Sequence, residues 1–437
     1  MAAPAPQGRA ASQARQAWDR LASWRPDRIQ TLSFLLGATL ITLLIAFLIK
    51  RPCLVEPWDG TQYEKACYNE LQPLFYLRGF NLDPIPVPYV ESFNEYPVLT
   101  GLFQYTMATM SWDANSFFLV NAVGLGLLAL ATTWALTGFV RDGAVPAPRI
   151  LLWALGPPLA LYAFSNWDLL ATFPTVLGLL MFRRNRMAAS GVLLGLGAAA
   201  KFYPVFFLPI LGLAVLRDEG RLGRRSWAFG LGAVGALAAT SVPFLFANRD
   251  LYLESFTFHA HRVFSFETLW SVLAHYGPQW GHPGWDDFFL SGAFSKWSMA
   301  FTLLGVGGLA ALAWFRRIEP VAATFGATLV FLLANKFYSV QYGLWVLPFL
   351  AMLRVPWWRV GLWLVADYLF FRAFWPLQLH LGESPDVWEP YFRTLSWTIA
   401  LRTLALLVLL EWVVRPAWQR RTLTAAPAAA ERVAETP

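Results

Sequence analysis

Charge is scarce in this sequence: Asp, Glu, Lys and Arg supply only 14% of its 437 residues, where a soluble domain carries about 25%. Such a chain has too little polar surface to clothe a core in water. Histidine is scarcer still, with five residues, and there are two cysteines. Neither cysteine has a histidine near it, so the pair makes a poor metal site. A cleavage signal is also missing, because the first apolar run meets Lys50-Arg51-Pro52 with no small-residue site after it. That run is expected to stay as a helix and not to leave as a secretory signal.

Apolar residues are in excess. They make up 57% of the chain, with a mean hydropathy of +0.45, and a bilayer must take up what one soluble core cannot. The longest runs stand at 32–49, 116–140, 226–246, 297–315, 357–373 and 394–414. Shorter runs at 149–163, 168–182, 187–200, 203–216, 319–334 and 338–353 come in pairs, each split by a polar knot: Ser165-Asn166-Trp167-Asp168, Lys201-Phe202-Tyr203-Pro204 and Asn335-Lys336-Phe337-Tyr338-Ser339. Irregular backbone at membrane depth survives where protein or a hydrated cavity satisfies it, so the knots are expected to face a shared cavity. Tight turns at the membrane surface are the alternative. The expected fold is all-α and polytopic. It has about 12 transmembrane helices within 32–414, juxtamembrane helices on one face, and tails at 1–31 and 415–437.

Lys and Arg set the expected orientation. With 12 spans, 22 of the 34 basic residues fall on the side of the termini, 11 on the other, and Arg402 inside the last span. Both termini are therefore expected in the cytoplasm of a plasma-membrane protein. The opposite side holds 17 of the 27 acids, so the net charge of +7 reflects topology and not nucleic-acid binding. Three long segments lie on that outer side: 50–115, 247–296 and 374–393. Cys53 and Cys67 both fall in the first, where an oxidising face favours a disulfide over two free thiols. The stretch 97–110 is too short and polar to span and is expected to lie at the interface.

The polar residues of these segments are the candidates for chemistry. Asp59, just after the first helix and flanked by Trp58 and Tyr63, suits a base that takes a proton from a hydroxyl, or equally an N-cap for a helix starting at Thr61. Glu64, Glu70 and Glu91 read as solvated loop surface. His259-Ala260-His261-Arg262 sets two imidazoles and a guanidinium together, but no third ligand at suitable spacing points to a metal. Phosphate recognition fits better, with Arg262, Lys201 and Lys336 forming one cationic cluster; separate snorkelling of each cation is the bland alternative. Aromatic residues near the knots, among them Tyr63, Trp167, Tyr203, Tyr338, Tyr342 and Trp345, offer faces to a sugar ring.

Five motifs in order resemble a known family: Asp59 with Tyr63, Glu95-Tyr96-Pro97-Val98-Leu99, Asn166-Trp167-Asp168-Leu169-Leu170, the run Gly195 to Pro204 containing Lys201 and Tyr203, and Lys336-Phe337-Tyr338-Ser339-Val340-Gln341-Tyr342. They are similar to landmarks of bacterial polyprenyl-phosphate-dependent glycosyltransferases of the GT-C superfamily, above all the PimE-like α-mannosyltransferases of actinobacteria. The resemblance spans about residues 30 to 415. It implies a membrane enzyme that takes a hexose from a polyprenyl-phosphate carrier without cofactor or metal and passes it to a lipid or glycan hydroxyl, with Asp59 as base. Tyr63, Glu64, Glu95, Tyr96, Asn166, Asp168, Lys201, Tyr203, His259, His261, Arg262, Lys336, Tyr338 and Gln341 are the expected substrate contacts. Gly60, where the family often carries a bulkier residue, and the segment 272–296 depart from its pattern. A transporter or flippase of polyprenyl-linked sugars is the rival reading, since broken helices and intramembrane cations also serve transport.

Overall fold

The computed structural model of the chain describes residues 29–262 and 264–424. Of the expected tails at 1–31 and 415–437, residues 1–28 and 425–437 lie outside the described residues, whereas 29–31 and 415–424 belong to the first and last helices, which corrects the expected bounds. Among the described residues the chain is all helical, with no strand beyond one isolated bridge between Pro88 and Ser92. Six helices are long and apolar enough to cross a membrane. They are Ile29–Lys50, Ala114–Arg141, Arg224–Ala247, Gly292–Trp314, Trp357–His380 and Pro385–Thr424, and each holds one of the six longest apolar runs, Phe315 alone lying just past its helix. The segment 374–393 is itself mostly helix, leaving 381–384 as the turn between the last two.

The shorter runs form short helices. Asp168–Arg183, Met187–Ala200, Phe207–Glu219, Pro320–Ala334 and Gly343–Met352 have 16, 14, 13, 15 and 10 residues. At 1.5 Å per residue none reaches the roughly 30 Å of a hydrocarbon core. Local chemistry sets the breaks. Before Pro157 the backbone of Gly156 is extended, because the proline ring bars the helical conformation from the residue ahead of it. Lys201 and Asn335, just past the ends of their helices, are extended too.

A broken helix leaves carbonyls to satisfy, and here other segments supply the donors. Thr100 Oγ1 donates to Ala200 O at 2.7 Å, Ser298 Oγ to Ala334 O at 2.8 Å, Trp270 Nε1 to Asn335 O at 3.1 Å, and the Glu70 backbone N–H to Ser165 O at 2.9 Å. The three knots are thus fastened to the segments 50–115 and 247–296. Thr100 belongs to the 11-residue helix Val98–Ala108, which is too short to span and packs against Met187–Ala200.

Small residues let the helices close around this region. Met187–Ala200 crosses Arg224–Ala247 so tightly that a Cβ on Gly191 would stand 2.1 Å from Phe229 O, and one on Gly195 2.7 Å from Ala233 O. Gly191→Val should therefore lower stability by about 1–3 kcal/mol, the range for overpacking a dense contact. Thermal unfolding in detergent checks this, and an unchanged midpoint would show that the crossing is slack.

Candidate active site

Cys53 and Cys67 are joined in a disulfide, with Cα atoms 5.7 Å apart, and the loop they close carries Asp59. The turn at Gly60 has φ +116°, a left-handed geometry that favours glycine. This accounts for the departure from a bulkier residue there. Asp59 is exposed and accepts a hydrogen bond from Thr61 Oγ1 at 3.1 Å. The short helix Thr61–Glu64 has Gly60 as its N-cap residue, without a side-chain bond, so Asp59 does not cap it. Tyr63 follows, stacked between Tyr68 and Trp375 with ring centroids 5.9 and 6.3 Å away. Glu64 is exposed.

Glu70 overturns its reading as solvated surface. It is partly enclosed, and its carboxylate accepts from the Tyr96 hydroxyl, from Asn166 Nδ2 at 2.5 Å and from Gln341 Nε2 at 3.1 Å. Three remote stretches thus meet on one acid. Burial pushes Glu70 above the usual carboxylate range, with Lys201 pulling the other way. Beside it Lys201 Nζ lies 3.3 Å from Asp168 Oδ1 and 5.0 Å from the Tyr96 ring centroid. Asp168 also accepts from Trp345 Nε1 at 2.8 Å, while its Oδ2 has no partner. Tyr203, Trp345 and Tyr342 stack in series, with centroid spacings of 4.4 and 3.8 Å.

The expected single cluster of Lys201, Arg262 and Lys336 is divided. Lys201 is neutralised by Asp168, whereas Lys336 Nζ donates only to neutral acceptors: Ala260 O at 2.9 Å, Arg262 O at 2.6 Å and Ser295 Oγ at 2.7 Å. The Arg262 guanidinium packs over Phe337 and Phe258, 4.7 and 5.5 Å from their centroids. No carboxylate pairs with either cation among the described residues. Both line a cavity of about 160 Å³ together with Ser291, Gly292 and Ser295, at the N-terminal end of the helix Gly292–Trp314. Two unneutralised cations and a positive helix end favour an anion.

The remaining candidates frame these centres. Glu95 is paired with Arg78 at 2.6 Å, and its carbonyl meets His259 Nε2 at 2.8 Å. Burial holds the His259 imidazole below its ordinary value. The His261 side chain lies outside the described residues. Tyr338 lines a different, small cavity with Glu267 and Arg402, where the Arg402 guanidinium covers its ring at 3.6 Å. Among the described residues no group of three His, Cys, Asp or Glu side chains could hold a metal ion. The sequence reading placed Glu70 on the solvated surface and did not single out Tyr68. Glu70 looks like any loop acid, and the only hint was its place just before the short apolar helix Leu71–Leu77.

The chain thus holds two polar centres: carboxylates, amides and stacked aromatic rings around Glu70 and Asp168, and a separate cationic cavity at Arg262 and Lys336. Residues 94–335 match the model of Glycosyltransferase family 87. That stretch is more than half of the chain, which belongs to this family. Over 275 residues the chain is 24% identical to GPI mannosyltransferase 1 of Trypanosoma brucei brucei. The match covers 57% of this chain and 62% of that protein, so the chain spans less than two thirds of this relative's length.

Proposed function

We propose that the protein is an inverting mannosyltransferase. It takes the sugar from a polyprenyl-phosphate carrier and passes it to a lipid or glycan hydroxyl at the outer face of the plasma membrane. The observation that carries this reading is the Arg262–Lys336 cavity, cationic and without an acid, on a chain whose family transfers sugars. The mannosyl transfer in the trypanosomal relative's name favours mannose. Family membership also favours transfer over transport.

In the proposed reaction Asp59 accepts the acceptor's hydroxyl proton as that oxygen bonds to the anomeric carbon. The bond from that carbon to the phosphate oxygen breaks, and the departing lipid phosphate keeps the electron pair. Arg262 and Lys336 stabilise its charge, and neither metal nor cofactor enters. A single displacement inverts the anomeric carbon. Purified protein incubated with polyprenyl-phosphate mannose and a membrane-lipid extract should yield a mannosylated product by mass spectrometry. Release of free mannose alone, or no product from any lipid-linked hexose, would overturn the reading.

The basic clusters around Arg183, Arg221 and Arg316 support a cytoplasmic location for both termini, opposite Asp59. Single cysteines introduced at 93 and 285 in a Cys53→Ser, Cys67→Ser background should react with an impermeant maleimide in intact cells. Reaction only after permeabilisation would invert the topology.

A further inference from the structure

We propose that Glu70 is the carboxylate that binds the hexose ring of the donor, accepting hydrogen bonds from its hydroxyls. The inference rests on the donor reading above. A carboxylate offers about four acceptor positions, and Tyr96, Asn166 and Gln341 occupy three of them. The group is anchored but not saturated, and it is only partly enclosed. One acceptor position is left for a donor from outside this network.

Its place in the molecule is the stronger argument. Tyr68, two residues before Glu70, stacks on Tyr63 of the Asp59 loop with ring centroids 5.9 Å apart. On its other side Glu70 accepts from Gln341 at 3.1 Å, in the same knot segment as Lys336. In a lipid-phosphate sugar poised for displacement, the ring must lie between the attacking hydroxyl and the departing phosphate. Glu70 adjoins both of the segments that carry the residues assigned to those two groups. The partly exposed rings of Tyr68 and Tyr342 supply apolar faces for sugar C–H groups. Asp168 and Glu95, the other acids facing this spot, are engaged by Lys201 and Arg78, which leaves Glu70 as the acceptor without a cation bonded to it.

Two probes test the role on the full chain in detergent, without acceptor: polyprenyl-phosphate mannose and bare polyprenyl phosphate. Glu70→Gln should weaken binding of the mannosylated probe about ten- to a hundredfold, the range for losing hydrogen bonds to a charged group. Binding of the bare lipid phosphate should be unchanged. Equal loss for both probes, or loss for neither, overturns the assignment. The amide places a donor against Asn166 or Gln341, so a second measurement uses the wild-type protein alone. Its binding of the mannosylated probe, a phosphodiester that keeps one charge over the range, should weaken on acidification, as Glu70 becomes protonated. The midpoint should lie above the ordinary carboxylate range, because burial raises this group. Binding of that probe constant from pH 7.5 to 4 would also overturn the assignment. Wild-type protein that binds neither probe would remove the donor reading itself, whereas binding of both with no preference removes only the role of Glu70.

Discussion

Asp59→Asn is expected to fold, to bind the lipid-linked donor and to transfer sugar at least about a hundredfold more slowly, the low end of what a positioned base contributes. Asparagine keeps the size of aspartate and an oxygen to accept the bond from Thr61, but it cannot take up the acceptor's proton at neutral pH. Because Asp59 caps no helix, the substitution has no structural cost through capping. Its exposure suits a group that must meet an acceptor arriving from outside the helix bundle. Turnover should be measured beside thermal stability and donor affinity. Near-normal turnover in a folded, donor-binding variant would dismiss Asp59 as the base and turn attention to Glu64, exposed on the same loop.

The second large effect is expected at the cationic cavity. Arg262→Ala should weaken donor binding by about 1.5–3 kcal/mol, roughly ten- to a hundredfold, as a charged hydrogen-bond donor to phosphate is lost. Its guanidinium rests on two aromatic rings, and the fold should survive its removal. Lys336→Ala should cost more in both binding and stability, because Lys336 Nζ also ties the carbonyls of Ala260 and Arg262 to Ser295. Lys65 serves as the control. It looks free-standing in sequence, yet it pairs with Glu56 at 2.6 Å on the surface, where such a pair contributes at most about 1 kcal/mol. Lys65→Ala should leave donor binding unchanged. If Arg262→Ala and Lys336→Ala also bind the donor normally, the phosphate lies elsewhere, and Lys201 becomes the next candidate.

The long helices were legible in the sequence because burial in lipid is a local property: a run of about 20 apolar residues needs no partner to declare itself. The knots were legible for the opposite reason, since Lys201-Phe202-Tyr203-Pro204 and Asn335-Lys336 cannot continue an apolar helix. Tertiary structure alone decided how these pieces meet. Glu70 and Glu64 look alike in sequence. Only the arrival of Tyr96, Asn166 and Gln341 makes a network at the first and leaves the second exposed. Likewise, Lys201 and Lys336 occupy similar knots. One is neutralised because Asp168 begins the helix beside it, while the other meets only carbonyls and a hydroxyl. Hydrophobic length is written residue by residue along a chain, whereas the charge state and openness of a site depend on which distant groups desolvate and pair with it, and packing alone determines that.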